Sequence, residues 1–117
     1  MVNIDSIVLV KQNVFESNSA IARIIDYNSS TKEYTITDDR EDFACSRNEF
    51  IVSFPHPGSY VRVVDDGRNM FPLDSIVEIV KISFYSDRPY KYVYLCHSSE
   101  LNLSQYLFRK DFTLHTN

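Results

Sequence analysis

Arg47-Asn48-Glu49-Phe50-Ile51-Val52 and Arg109-Lys110-Asp111-Phe112-Thr113-Leu114 share one pattern. A cation opens each, an acid follows two places on, and an aromatic ring then leads an apolar run. Charge and hydrophobicity agree together, which a chance likeness between two β-rich segments does not require. Working outward, three earlier blocks recur in the same order. Ser6-Ile7-Val8-Leu9-Val10 answers to Ser59-Tyr60-Val61-Arg62-Val63. Ala20-Ile21-Ala22-Arg23-Ile24-Ile25 answers to Ser75-Ile76-Val77-Glu78-Ile79-Val80, and Tyr34-Thr35-Ile36 to Tyr92-Val93-Tyr94. The chain reads as a degenerate internal repeat. Its break falls at Pro55-His56-Pro57-Gly58, because two prolines cannot continue a strand ladder. Two domains follow, 1–55 and 56–117.

The repeated blocks are strands. Runs 7–11, 20–27, 33–38, 43–46 and 50–54 are short, rich in Ile, Val, Thr and aromatics, and bounded by Asn, Ser and Asp. Runs 60–64, 75–85, 91–97, 105–108 and 112–116 repeat the plan. Hairpin turns are expected at 28–32, 38–42 and 86–89. No window holds a clean helical period, so helix is limited to single turns at 47–49, 101–105 and 109–111. Run 75–85 is apolar on both faces in places and is expected to bend. Alternation in Tyr90-Lys91-Tyr92-Val93-Tyr94-Leu95 leaves its inward face open. Inward parity predicts four buried pairs: Val8 with Val61, Val10 with Val63, Ile24 with Ile79, and Phe50 with Phe112.

Gly58-Ser59-Tyr60-Val61-Arg62-Val63 fits the opening pattern G-x-x-V-x-V of SH3-like small barrels such as Tudor and KOW domains, and the first half carries Asp5 at the glycine position. Ala22-Arg23-Ile24 and Val77-Glu78-Ile79 fit the second strand of that family. The chain thus resembles a tandem of five-stranded SH3-like barrels. The fold class expected is all-β, and fold alone does not fix function.

Composition narrows the function. The 117 residues are 44% hydrophobic and 24% charged, which is a globular balance. A net charge of −4 gives no general attraction to phosphate backbones. The N-terminal residues show no signal-peptide pattern, and no apolar run is long enough to span a membrane, so a cytoplasmic location is expected. Cys45 and Cys96 read as two buried thiols.

Catalytic and metal readings are weak. Cys45, Cys96, His56, His97 and His115 show no metal-ligand spacing. Nothing around Cys96 suggests a nucleophile paired with a base. Gly58 and Gly67 cannot build a phosphate loop. No cofactor, metal or catalytic residue is expected.

Two stretches suggest a contact surface. Asp38, Asp39, Glu41 and Asp42 form the densest charge run, either a solvated hairpin tip or an acidic face for a basic partner. The loop around Arg68, Met70, Phe71 and Leu73 is apolar and either docks within the protein or binds a partner. The tyrosines of the second half could cage a cation or stack bases, but most lie along strands. The expected function is a small, non-enzymatic protein-binding module, an inhibitor or modulator of the kind a virus or phage directs at a host protein in the host cytoplasm. The alternative is a KOW- or Tudor-like nucleic-acid binder using Arg62, Arg68, Arg88, Lys91, Arg109 and Lys110.

Overall fold

The computed structural model describes residues 1–64, 70–85 and 88–115, and side chains throughout those ranges except at 88–90. Among these residues ten strands follow in order: β1 Ile7–Val10, β2 Ile21–Asn28, β3 Glu33–Thr37, β4 Asp42–Cys45, β5 Phe50–Ile51, β6 Tyr60–Val63, β7 Ile76–Tyr85, β8 Arg88–Ser98, β9 Leu103–Leu107 and β10 Phe112–Leu114. Single 3₁₀ turns occupy Arg47–Glu49 and Arg109–Asp111, as the sequence predicts. Residues 101–105 hold no helical turn; they pass from a β-turn into β9. The β3–β4 turn allows Asp39 its left-handed φ of 78°.

The strands form two antiparallel sheets of five, ordered β4-β3-β2-β1-β5 and β10-β6-β7-β8-β9. Numbered within each half, the two orders are the same. The registers agree as well. Val10 faces Phe50 as Val63 faces Phe112, and Val8 faces Ala22 as Val61 faces Val77. Ile24 accepts from the Asp5 N–H at 2.7 Å, and Ile79 accepts from the Gly58 N–H at 2.7 Å. Asp5 stands at φ 71° and Gly58 at φ 91°. That is the left-handed region glycine enters freely and Asp tolerates better than most residues. All four expected residue pairs are buried.

One block of the repeat needs correction. Tyr34 packs edge-on against Phe50 with ring centroids 5.3 Å apart, and Tyr94 does the same against Phe112 at 5.0 Å. Tyr34 therefore corresponds to Tyr94, not to Tyr92. This also decides the inward face of β8: Tyr94, Cys96 and Ser98 are buried, and Val93 and Leu95 are half-buried.

The sheets are not the closed barrels that were expected. No pairing among the described residues joins β4 to β5 or β9 to β10. In the first sheet β5 is two residues long, too short to zip an edge across the core.

The chain divides into two compact units, Met1–Phe54 with Ser83–Lys91, and Pro55–Ile82 with Tyr92–Asn117. Strand β7 serves both. Its buried residues are Val77 and Ile79, then Ile82 and Phe84, so the inward parity switches across exposed Val80 and Lys81. Within the first unit Ser83 forms an antiparallel bridge with Ser19. Asn18 Nδ2 donates to the Phe84 carbonyl at 2.9 Å.

Candidate functional site

The first unit carries a cleft of about 190 Å³ lined by Val10, Lys11, Gln12, Val14, Ile36, Phe43, Cys45, Asn48 and Glu49. Its floor is core: Val10, Ile36 and Cys45 are all buried. Half-buried Phe43 and Val14 add apolar wall, and exposed Gln12, Asn48 and Glu49 form a polar rim with Lys11. β4 brings Phe43 and Cys45, while Asn48 and Glu49 come from the turn that leads into β5. The cleft therefore lies where the sheet fails to close.

Three local devices hold its walls. The Ser46 N–H donates to Glu49 Oε2 at 2.7 Å, and the Glu49 N–H donates to the Ser46 carbonyl at 3.1 Å. Arg47 lays its guanidinium 5.0 Å from the Phe50 ring centroid and donates to the Phe50 carbonyl at 3.1 Å, fixing the 3₁₀ turn. The Lys11 N–H donates to the Glu49 carbonyl at 3.1 Å, tying the start of the β1–β2 loop to that turn.

The far side of the loop is anchored by the acidic hairpin. Ser17 Oγ donates to Asp38 Oδ2 at 2.5 Å, and the Glu16 N–H donates to Glu41 Oε2 at 2.7 Å. Asp38 also accepts from the Arg40 and Glu41 N–H groups at 3.0 and 2.8 Å. The Ser17 hydroxyl, with help from the Glu41 N–H, holds the Asp38 carboxyl below its usual range. Asp39 meets Arg23 Nη2 at 3.2 Å, and Arg23 reaches Asp5 with Nη1 at 3.1 Å. Asp38 and Glu41 thus position a loop, and Asp39 is paired with Arg23 on β2. Asp42 is exposed on β4, with no ion pair among the described residues.

The cleft is poor in nucleophiles. Burial pushes the Cys45 thiol up to about 11, with Glu49 and Glu33 adding to it, so the sulfur is protonated near neutrality. Burial pushes Cys96 up to about 12. Among the described residues no three His, Cys, Asp or Glu gather in a way that could hold a metal ion. Among the described residues no helix is long and apolar enough to cross a membrane.

The apolar loop of the second half behaves differently along its length. Phe71 is 2% exposed and belongs to the core, so its ring is not offered to a partner. Met70 and Leu73 are 61% and 51% exposed. The Met70 N–H donates to Gln105 Oε1 at 2.6 Å, drawing the loop onto β9. Arg68 lies outside the described residues. Two of the other basic candidates already have partners. Arg62 on β6 stands 4.0 Å from Asp74. Arg109 is stacked 4.9 Å from the Phe112 ring centroid and donates to its carbonyl at 2.9 Å. Lys110 is exposed in the 3₁₀ turn, Lys91 is exposed on β8, and the Arg88 side chain lies outside the described residues.

Two features were missed in the sequence. Asn13-Val14-Phe15 matches Asn69-Met70-Phe71, and both Phe15 and Phe71 are buried. The signal was the Asn-x-Phe spacing, which extends the repeat into the loops. The cleft itself had no signal, because four separated segments build it. No protein-family model matches the chain, and no curated protein matches it.

Proposed function

We propose that this chain is a non-enzymatic module that binds another protein, with the first-unit cleft as its contact site. The observation that carries the reading is the cleft's combination of size and lining. Small-molecule and cofactor pockets usually run from about 300 to 1,000 Å³. A cleft of about 190 Å³ suits one apolar side chain of a larger partner instead. An apolar floor with a polar rim is the usual anatomy of such a contact. The protonated Cys45 thiol supports a binding role over nucleophilic chemistry. The likeness to Tudor and KOW domains gains support from the left-handed φ at Asp5 and Gly58, the position that pattern reserves for glycine. Inhibition or modulation of the bound protein, in a viral setting and a cytoplasmic location, is the role we attach to this module.

The nucleic-acid alternative has less support. Arg109 is spent on Phe112, and Arg62 has an acid beside it. The test compares two ligands on one protein. A random-peptide library panned against the whole chain is expected to yield binders that Val14→Asp abolishes, with no retention on heparin at moderate salt. Retention on heparin that falls on Arg62→Ala and Lys110→Ala, with no cleft-dependent peptide, would overturn the reading.

A further inference from the structure

Strand β4 ends its sheet, and among the described residues its outer edge pairs with no strand. Its inward side chains, Phe43 and Cys45, line the cleft. Asp42 is exposed and carries no ion pair among the described residues. An unpaired edge is a row of free N–H and C=O groups that an extended chain can satisfy. Side chains of an added strand alternate, so every second one would face the cleft while the others face Asp42 and solvent.

Resting on the cleft reading above, we propose that the partner contributes an extended strand to the edge of β4, with apolar residues alternating with Lys or Arg. The apolar residues enter the cleft and the basic ones stand across from Asp42. Charge favours the basic residues of such a strand. The unit that bears the cleft, residues 1–54 with 83–91, contains ten Asp and Glu against seven Lys and Arg, whereas the other, residues 55–82 with 92–117, contains six against five. Three of the four net negative charges therefore reside in the unit that bears the cleft. Asp38 and Glu41 flank β4 through the hairpin that precedes it, which also holds Arg40, and Asp39 there is paired with Arg23. Glu33, at the start of β3, is also exposed. Opposite charges facing one another across a strand pair are favourable, and like charges are unfavourable.

The same charge argues against a second copy of this chain as the occupant. Pairing β4 with its own copy would bring two acidic hairpins to one edge. The repeat further limits the site to one per chain. In the second unit Gln105 on β9 stands where β4 has Phe43, and its side chain is engaged by Met70. Lys110 stands where the first unit has Asn48, and Asp111, the counterpart of exposed Glu49, is buried.

The test uses the whole protein and a peptide selected from a random library. Selected sequences are expected to alternate apolar residues with Lys or Arg. A synthetic selected peptide should slow exchange of the residue 42–45 amides at least about tenfold. Asp42→Lys removes one favourable cross-strand pair and creates an unfavourable one. It should weaken that peptide about tenfold and leave the melt unchanged. A peptide that Val14→Asp displaces but that leaves β4 exchange unchanged overturns strand addition and keeps the cleft reading. Selected peptides that bind Val14→Asp and Phe43→Ser as tightly as the wild type overturn the cleft reading as well. Protection of β4 without peptide that rises with protein concentration, beside a dimer in sedimentation, would make the second copy the occupant and refute the proposal.

Discussion

Replacing Phe71 by Ala should destabilise the second unit severely. The ring is 2% exposed, in a loop of a unit whose core is small. Truncating a buried Phe costs about 3–5 kcal/mol, through lost transfer energy and the cavity left behind. For a domain of this size each kcal/mol lowers the melting temperature by about 4–8 °C, so the loss should be about 12 °C or more. Total stabilities of about 5–15 kcal/mol leave little reserve against such a change. Met70→Ala is the matched control. Met70 is adjacent but 61% exposed, and its effect should stay within about 0.5 kcal/mol. Scanning calorimetry of the wild type and both variants reads the difference directly. A Phe71→Ala melt that overlays the wild type would refute the claim that the loop supplies core to this unit. Phe15→Ala, its counterpart in the first unit, should show a loss of similar size.

Arg47→Ala and Arg109→Ala should each cost about 1–2 kcal/mol by urea titration, since both cations stack on a ring and donate to its carbonyl. A cost confined to one of the two would break the equivalence of the halves. Asp38 is held below its usual range by Ser17 and the Glu41 N–H. Its stabilisation is fully present above the ordinary Asp value and is lost as pH falls through the lowered folded value. Ser17→Ala should therefore move the Asp38 midpoint back up in an NMR carboxyl titration, and an unmoved midpoint counts against the bond. Cys45 and Cys96, raised to about 11 and about 12, should resist Ellman's reagent at mildly alkaline pH until the chain is unfolded. Prompt reaction of the native protein would contradict their burial.

Much of the fold was legible because the repeat announces itself in side-chain chemistry. The Arg-x-acid-Phe blocks placed both 3₁₀ turns and both closing strands, since the same cation–ring stack and capped turn recur. Alternation fixed the parity of Val8, Val10, Val61 and Val63. It failed at Tyr92 and Tyr94, because aromatic and aliphatic residues alternate there and either set could fill a core. The edge contact of Tyr94 with Phe112 decides it, and that contact joins distant segments. The open sheets were hidden for a related reason. Run 50–54 is apolar but for Ser53, yet only Phe50–Ile51 pairs as strand. The acidic run was visible as charge, but its role as a clamp on the β1–β2 loop depends on Ser17 and the Glu16 N–H, which approach only through folding.

Amide chemical-shift mapping of the whole chain, titrated with a library-selected peptide, tests the cleft most directly. The largest shifts are expected at Lys11, Gln12, Val14, Phe43, Cys45 and Asn48. Largest shifts at Arg62, Arg109 and Lys110, or at Met70 and Leu73, with those six unmoved, would contradict it.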